Sequence, residues 1–402
     1  MMTTEPPWHS YALRLADRAA GPTSRWHAAV SRVPRHLLMP RWFAHAASRT
    51  PVPSPAGWLA LDGPVHPDRW LSAAYADMTW ITRLGALHAD HATPGQAVTE
   101  ARPTSSSTLP SLLVQMLRYA RVFDGCDVLD VGTGTGYSAG LLAARLGAEY
   151  VTSIDIDPYL VEAAALRLAG IGLHPALYQG DATGALPAGE FDRIISTVAI
   201  RPVPATWLAA LRPGGRLVFP VSDIPVVVAA DKTADGGAVG TVQRDYAGFM
   251  SVRHGEDFDA GAGHATAPRT AEGEVARIGR YPVPNIPASW EVPAMLELTV
   301  PGIGHHFEAT PAGVRTAWMT HPDGSWARAR AQGSAAPTVH QSGARRLWDL
   351  YESLVDEWAM TGAYPIRGAS VRIDPDGTVT FSRGRWSATL PADARGARIC
   401  GT

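Results

Sequence analysis

The sequence predicts an α/β fold carrying a doubly wound parallel sheet, with a helical N-terminal region before it and a separate α+β C-terminal domain after it. Two observations lead there. From residue 112 onward, short apolar runs alternate with segments of helical period, the pattern of parallel strands joined by crossover helices. Gly132, Gly134 and Gly136 then fall between the first strand and the helix after it, where the backbone must turn sharply. A chain of 402 residues, 46% hydrophobic, can bury more than one core. The expected division is 1–100, 101–260 and 261–402.

The elements follow in order. The first hundred residues read as broken helices, interrupted by PVPSP (51–55). A helix over LLVQMLRYARVF (112–123) precedes strand DVLDV (127–131), then helix YSAGLLAARL (137–146), strand YVTSID (150–155) and helix PYLVEAAALRLAG (158–170). ALYQGD (176–181), FDRIIST (191–197) and RLVFPV (216–221) are further short apolar runs. PVVVAAD (225–231) and TVQRDYAGFMSVR (241–253) would add antiparallel edge strands joined near DGG (235–237). AGAGHATAPRTAEGE (260–274) has linker composition. Beyond it, TAWMT (316–320) reads as a strand and ARRLWDLYESLVDEWAM (344–360) as a helix burying Leu347, Leu350, Tyr351, Leu354 and Trp358. VRIDPDGTVTFSRGRW (371–386) reads as a hairpin about Asp376-Gly377.

A formal charge of −2 gives no reason to expect nucleic acid or an anionic membrane as partner. Lys232 is the sole lysine, a bias of base composition rather than of a binding surface. Two cysteines, Cys126 and Cys400, build no disulfide framework, so a cytoplasmic location is the expectation. The N-terminus lacks the basic-then-apolar pattern of a signal peptide, and no apolar run reaches membrane length.

The candidate site starts at VLDVGTGTGYS (128–138). Glycines there let a ligand approach the backbone, and the helix start offers free N–H groups. Asp155 ends the next strand, where a carboxylate can accept from both hydroxyls of a ribose. Asp181, in QGDA, ends the third, within reach of an adenine amino group. Asp130 precedes the glycines. Dinucleotide sites favour G-x-G-x-x-G, which Tyr137 interrupts. With LRPGGRLVFP (211–220), the pattern resembles the class I S-adenosyl-L-methionine-dependent methyltransferases. That resemblance implies a Rossmann-like domain holding the cofactor through Asp130, Gly132, Thr133, Gly134, Gly136, Tyr137, Asp155, Ile156, Asp181, Ala182 and Thr197.

The acceptor is narrowed by elimination. STVAIRP (196–202) stands where amino-group methylases of bases carry an Asn/Asp-Pro-Pro-aromatic turn. Neither cysteine suits a nucleophilic mechanism on a pyrimidine. RNA methylation lacks a basic surface. No cluster suggests a metal; His305, His306 and His321 read as strand and turn residues. The C-terminal tryptophans (Trp318, Trp326, Trp348, Trp358, Trp386) read as core, and Arg328, Arg330, Arg345 and Arg346 as a solvated face.

SRVPRHLLMP (31–40), AAYAD (73–77), a Ser/Thr-Leu-Pro turn before a helix, the glycine turn, FDRIISTVA and LRPGGRLVFPV occur in the order found in protein-L-isoaspartate O-methyltransferases, which residues 25–255 resemble. The resemblance implies that Thr108, with Leu109 and Pro110, is the family's turn beside the methyl donor and the substrate carboxylate. Thr108, Ser107 and Ser106 are therefore the candidate catalytic residues, binding the carboxylate through hydroxyls. The competing reading of TSSSTLPSLL (104–113) is a plain helix N-cap. The expanded 45–72 segment, the TEARPTSSS stretch and the extra C-terminal residues resemble extended actinobacterial relatives that modify ribosomally made peptides such as lanthipeptides and graspetides. There an ordinary Asp, for example in a leader-bearing precursor, is esterified and closes to an aspartimide. Repair of isoaspartate, or a cofactor-binding scaffold without catalysis, are the alternatives.

Overall fold

The computed structural model describes residues 6–45, 57–99, 101–254 and 269–392. The Pro-rich break at 51–55, residues 260–268 of the linker-like stretch, and Cys400 lie outside them.

A 10-stranded sheet forms the centre. Its parallel part runs in the order Ala176–Gln179, Val151–Asp155, Val128–Val131, Phe191–Ser196 and Leu211–Pro220. The chain thus starts in the middle and winds outward in both directions, as the alternation predicts. That order leaves a crevice beyond the carboxyl ends of Val128–Val131 and Phe191–Ser196, the place where such sheets take ligands. Val226–Lys232 and Ala238–Tyr246 extend the sheet antiparallel, as expected.

Neighbouring residues of these strands feed two cores. Ile194, Leu217 and Val228 pack on one face with Trp207, Trp348 and Phe381. Ile195, Val218 and Val227 pack on the other with Leu15, Val30 and Leu117 of the N-terminal helices. A strand buried on both faces reads as a continuous apolar run, which is why these strands were legible.

Two regions differ from expectation. The N-terminal region is not merely helical: besides helices His9–Ala19 and Pro67–Ala74 it holds most of a six-stranded antiparallel sheet, including Arg41–His45, Gly57–Asp62, Trp80–Leu84 and Pro103–Ser107. These strands are short and one-sided, so no run is long enough to register as a period. The C-terminal region does carry its own five-stranded sheet, with helix Leu347–Thr361 alongside. It is not set apart, however. Ser370–Ile373 pairs with Ala238–Tyr246 in the register Ala238↔Ile373 to Thr241↔Ser370, and Val379–Arg383 and Trp386–Leu390 continue the central sheet. Strand pairing across so long an insertion leaves no local signal. On helix Leu347–Thr361, Leu347, Tyr351 and Leu354 are buried, but Trp358 lies near the exposed end and stands 46% exposed. Among the described residues no helix is long and apolar enough to cross a membrane.

Candidate active site

The fully buried strand Val128–Val131 delivers the chain to Gly132, whose φ is +94°. A Cβ there would sit 2.9 Å from Thr197 Oγ1 and 3.0 Å from Val198 Cγ1, so both conformation and space demand glycine. Gly136, at φ +83°, starts helix Tyr137–Leu146, and a Cβ on it would lie 3.1 Å from Ala164 Cβ. Asp130 sits beneath the turn, wholly buried. Its Oδ1 accepts from Ser138 Oγ at 2.7 Å and its Oδ2 from Ser153 Oγ at 2.8 Å. Burial pushes its carboxyl up to about 6, against the pull of the two hydroxyls. Thr133 shares Ser153 through a 2.7 Å hydroxyl contact.

Above the turn opens a cavity that is continuous with solvent. Of the residues expected to hold the cofactor, Gly132, Gly134, Asp155, Ile156, Asp181, Ala182 and Thr197 line it. Asp130, Thr133, Gly136 and Tyr137 do not. They lie below or behind the turn and shape it, because the residue before the glycines points into the core of a doubly covered sheet and the helix start is packed on Ala164 and Leu168. Asp155 Oδ2 accepts from the Gly134 amide at 2.9 Å and Oδ1 from the Asp157 amide at 3.1 Å. Burial raises its pKa, and these two amides oppose the rise. Asp181 is different. Burial would raise its pKa too, but His254 Nδ1 at 3.0 Å from Oδ2 and the amide and hydroxyl of Thr183 on Oδ1 hold it below the usual carboxylate range. Between the two carboxylates, at the ends of adjacent strands, Ile156, Leu160 and Ala182 form an apolar slot. Acceptors at either end of such a slot, beside an open glycine backbone, fit a nucleoside carrying a charged tail.

The hydroxyl run is not a helix cap. Pro103–Ser107 is a strand paired with Trp80–Leu84, and helix Pro110–Tyr119 has Leu109 at its N-cap with no side-chain bond. The cap comes from elsewhere in the chain: Asp77 Oδ1 accepts from the Ser111 amide at 2.9 Å. Thr104, Ser105, Ser106 and Thr108 line the cavity. The strand crosses over the glycine turn, since Ser106 O lies 3.5 Å from a Cβ built on Gly134. Ser107, expected to bind the carboxylate, is turned away by the strand's alternation. It is 1% exposed, and its hydroxyl accepts from Arg35 Nε at 3.2 Å.

Sequence reasoning missed Thr104, Ser105 and the far wall, Val198 and Met250–Arg253. A period-2 reading of the hydroxyl run would have found Thr104. The far wall had no such signal: it is placed by a parallel bridge between Ala199 and Ser251, with Ala199 N bonded to Met250 O at 2.8 Å and Val252 N to Ala199 O at 2.8 Å.

With this geometry in view, comparison with known proteins is informative. Residues 91–253 match the family model of protein-L-isoaspartate(D-aspartate) O-methyltransferase. The protein-L-isoaspartate O-methyltransferase of Ignicoccus hospitalis is 37% identical over 133 residues, 32% of this chain and 63% of the relative. That of Anaeromyxobacter dehalogenans is 43% identical over 131 residues, 31% of this chain and 62% of the relative. The chain therefore spans a little under two thirds of the length of these relatives. A solved protein-L-isoaspartate O-methyltransferase aligns over 95% of this chain and 98% of its own at 15% identity, with a TM-score of 0.47. Residues 91–253 are thus the part of the chain that is similar to the protein-L-isoaspartate(D-aspartate) O-methyltransferase family.

Proposed function

We propose that this chain binds S-adenosyl-L-methionine and methylates an aspartyl or isoaspartyl carboxylate of a peptide or protein. One observation carries the reading: the hydroxyl strand and the glycine–Asp155 turn face a single cavity, whose described lining holds one cation, Arg253, and no Lys, Cys, Tyr or His that could serve as a base or nucleophile. A carboxylate is already ionised near neutral pH and needs no base to become an oxygen nucleophile. When bound, the cofactor supplies a sulfonium methyl group that such an oxygen takes without any proton transfer. The chain's own work is then to hold and aim. Asp155 would accept from the ribose hydroxyls and Asp181 from the adenine amine, after His254 yields its place on Oδ2. Ser106 and Thr108 would donate to one carboxylate oxygen and leave the other directed at the methyl group.

The finer reading is that the acceptor is an ordinary Asp of a ribosomally made peptide. It is supported by the resemblance to the extended relatives and by the C-terminal residues built into the same sheet as the site. The methyl ester would then be attacked by the next backbone nitrogen, whose proton leaves with methoxide as methanol, giving an aspartimide. Repair of isoaspartate is the second reading, and the name carried by the matched relatives favours it. Paired peptides differing only in Asp or isoaspartate, incubated with S-adenosyl-L-methionine and followed by mass, decide between them. A gain of one methyl on Asp followed by loss of methanol is the expected result. Methylation of isoaspartate alone would overturn the finer reading, and methylation of neither would overturn the proposal.

A further inference from the structure

Arg35, in the short helix Arg35–Leu38, is wholly buried, yet among the described residues no carboxylate is bonded to it. Its planar donors are spent on main-chain and hydroxyl oxygens from two segments. Nη1 donates to Ala74 O and Ala76 O at 3.0 Å each, and Nη2 to Met78 O at 3.0 Å. Nε donates to Ser107 Oγ, and Nη2 also to Ser107 O and Thr108 O, all at 3.2 Å. The Tyr137 ring covers the guanidinium at 5.3 Å, which ties the assembly to the first residue after the glycine turn. Burial lowers the Arg35 pKa to about 10, so the side chain stays charged at neutral pH.

Loop 74–79 completes the grip. Thr79 Oγ1 accepts from the Leu109 amide at 3.0 Å, and Asp77 Oδ1 from the Ser111 amide. Main-chain groups of four of the five residues 107–111 are thus bonded to Arg35 or to this loop. Of these residues, Thr108 is the one that lines the cavity. A buried, desolvated cation is a costly way to fill space, and an apolar side chain would do so at less cost. What an apolar side chain cannot do is fix the carbonyls of two facing segments at once, as a rigid fork of five donors can.

We propose that Arg35, together with Thr79, positions the hydroxyl strand, setting where the Thr108 hydroxyl stands relative to the glycine turn. The proposal rests on the functional reading above. It makes Arg35 a positioning residue that never touches substrate. A displacement of about 1 Å at such a hydroxyl is enough to cost up to about a hundredfold in rate.

The test uses the full chain and three variants: Thr79→Val, which removes the acceptor for Leu109; Thr79→Ser, which keeps it; and Arg35→Lys. Three readouts are taken: kcat and KM on whichever carboxylate peptide the wild type methylates, Kd for S-adenosylhomocysteine, and amide hydrogen exchange across residues 103–112. Thr79→Val is expected to lower kcat/KM about tenfold and Arg35→Lys by more. Cofactor affinity should stay within about twofold, Thr79→Ser should be restored, and exchange across 103–112 should quicken in the two damaging variants. A purely structural role would instead weaken cofactor binding in step with activity, which would overturn the proposal. So would variants with wild-type kcat/KM. Should Arg35→Lys fail to fold, the Thr79 pair decides. Should the wild type methylate nothing, the functional reading fails alone, and the exchange rates still judge the clamp: unchanged protection across 103–112 overturns it.

Discussion

The two walls of the cavity are built in opposite ways. The wall formed by the glycine turn and Asp155 comes from neighbours in sequence: a strand, a turn and a helix start, braced by the Gly134–Asp155 bond. The hydroxyl wall is a strand whose position depends on Arg35, 72 residues before Ser107, and on a loop 30 or more residues before Leu109. The first wall is rigid because its backbone conformation admits glycine and little else. The second is held by hydrogen bonds to main chain, so its substitutions should damage aim before they damage folding. A site that combines them can keep one ligand subsite constant while the other is rebuilt for a different acceptor.

Breaking the rigid wall should have the largest effect. Gly132→Ala would force a Cβ into a left-handed conformation 2.9 Å from Thr197 Oγ1. Strain and contact together should weaken S-adenosylhomocysteine binding by about a hundredfold or more, as measured calorimetrically. A variant that binds within tenfold of wild type would show that the wall yields to a side chain at this position. Next, Thr108→Val tests the other wall. It keeps the shape and removes the hydroxyl, and should lower kcat/KM by about thirtyfold while cofactor affinity stays within twofold. Loss of cofactor binding in parallel would mean the walls are not separable.

The smallest effect sharpens the comparison from below the turn. Asp130 titrates at about 6 in the folded chain, against about 3.9 for an unfolded Asp. Between those values the folded state holds the proton more firmly. This group therefore stabilises most at low pH, and its contribution falls as pH rises from about 4 to 6, with no further change above. Asp130→Asn removes that slope. The melting temperature of the wild type relative to the variant should drop by roughly 3 °C between pH 4 and pH 7. A constant difference would mean that the carboxyl is ionised throughout.

What could be read from sequence follows the same division. Gly132, Gly134, Asp155 and Asp181 were legible because the constraint on each is local, a turn or a strand end. The hydroxyl run stands out by composition, but its strand conformation does not. Ser and Thr ahead of Leu-Pro look like a cap, and nothing nearby reveals that Asp77 already fills that role. Asp130 and Tyr137 were attributed to the ligand because proximity in sequence to the glycines says nothing about the face on which a side chain emerges. Arg35 was visible within VPRHL, but its role depends on oxygens contributed from 39 to 73 residues later. Met250–Arg253 reach the cavity through one bridge to Ala199, a contact that no periodicity encodes.

The closure of the central sheet by Ser370–Ile373 also bears on how the chain is made. As the polypeptide leaves the ribosome, the strand Ala238–Tyr246 is complete long before its partner exists. Until Ser370–Ile373 emerges, the growing protein carries an open strand edge, the kind of surface that recruits foreign strands. The five-stranded sheet and the helices are synthesised in that interval. Folding of this protein is therefore vectorial only in part: its central layer is extended by strands made long after Ala238–Tyr246.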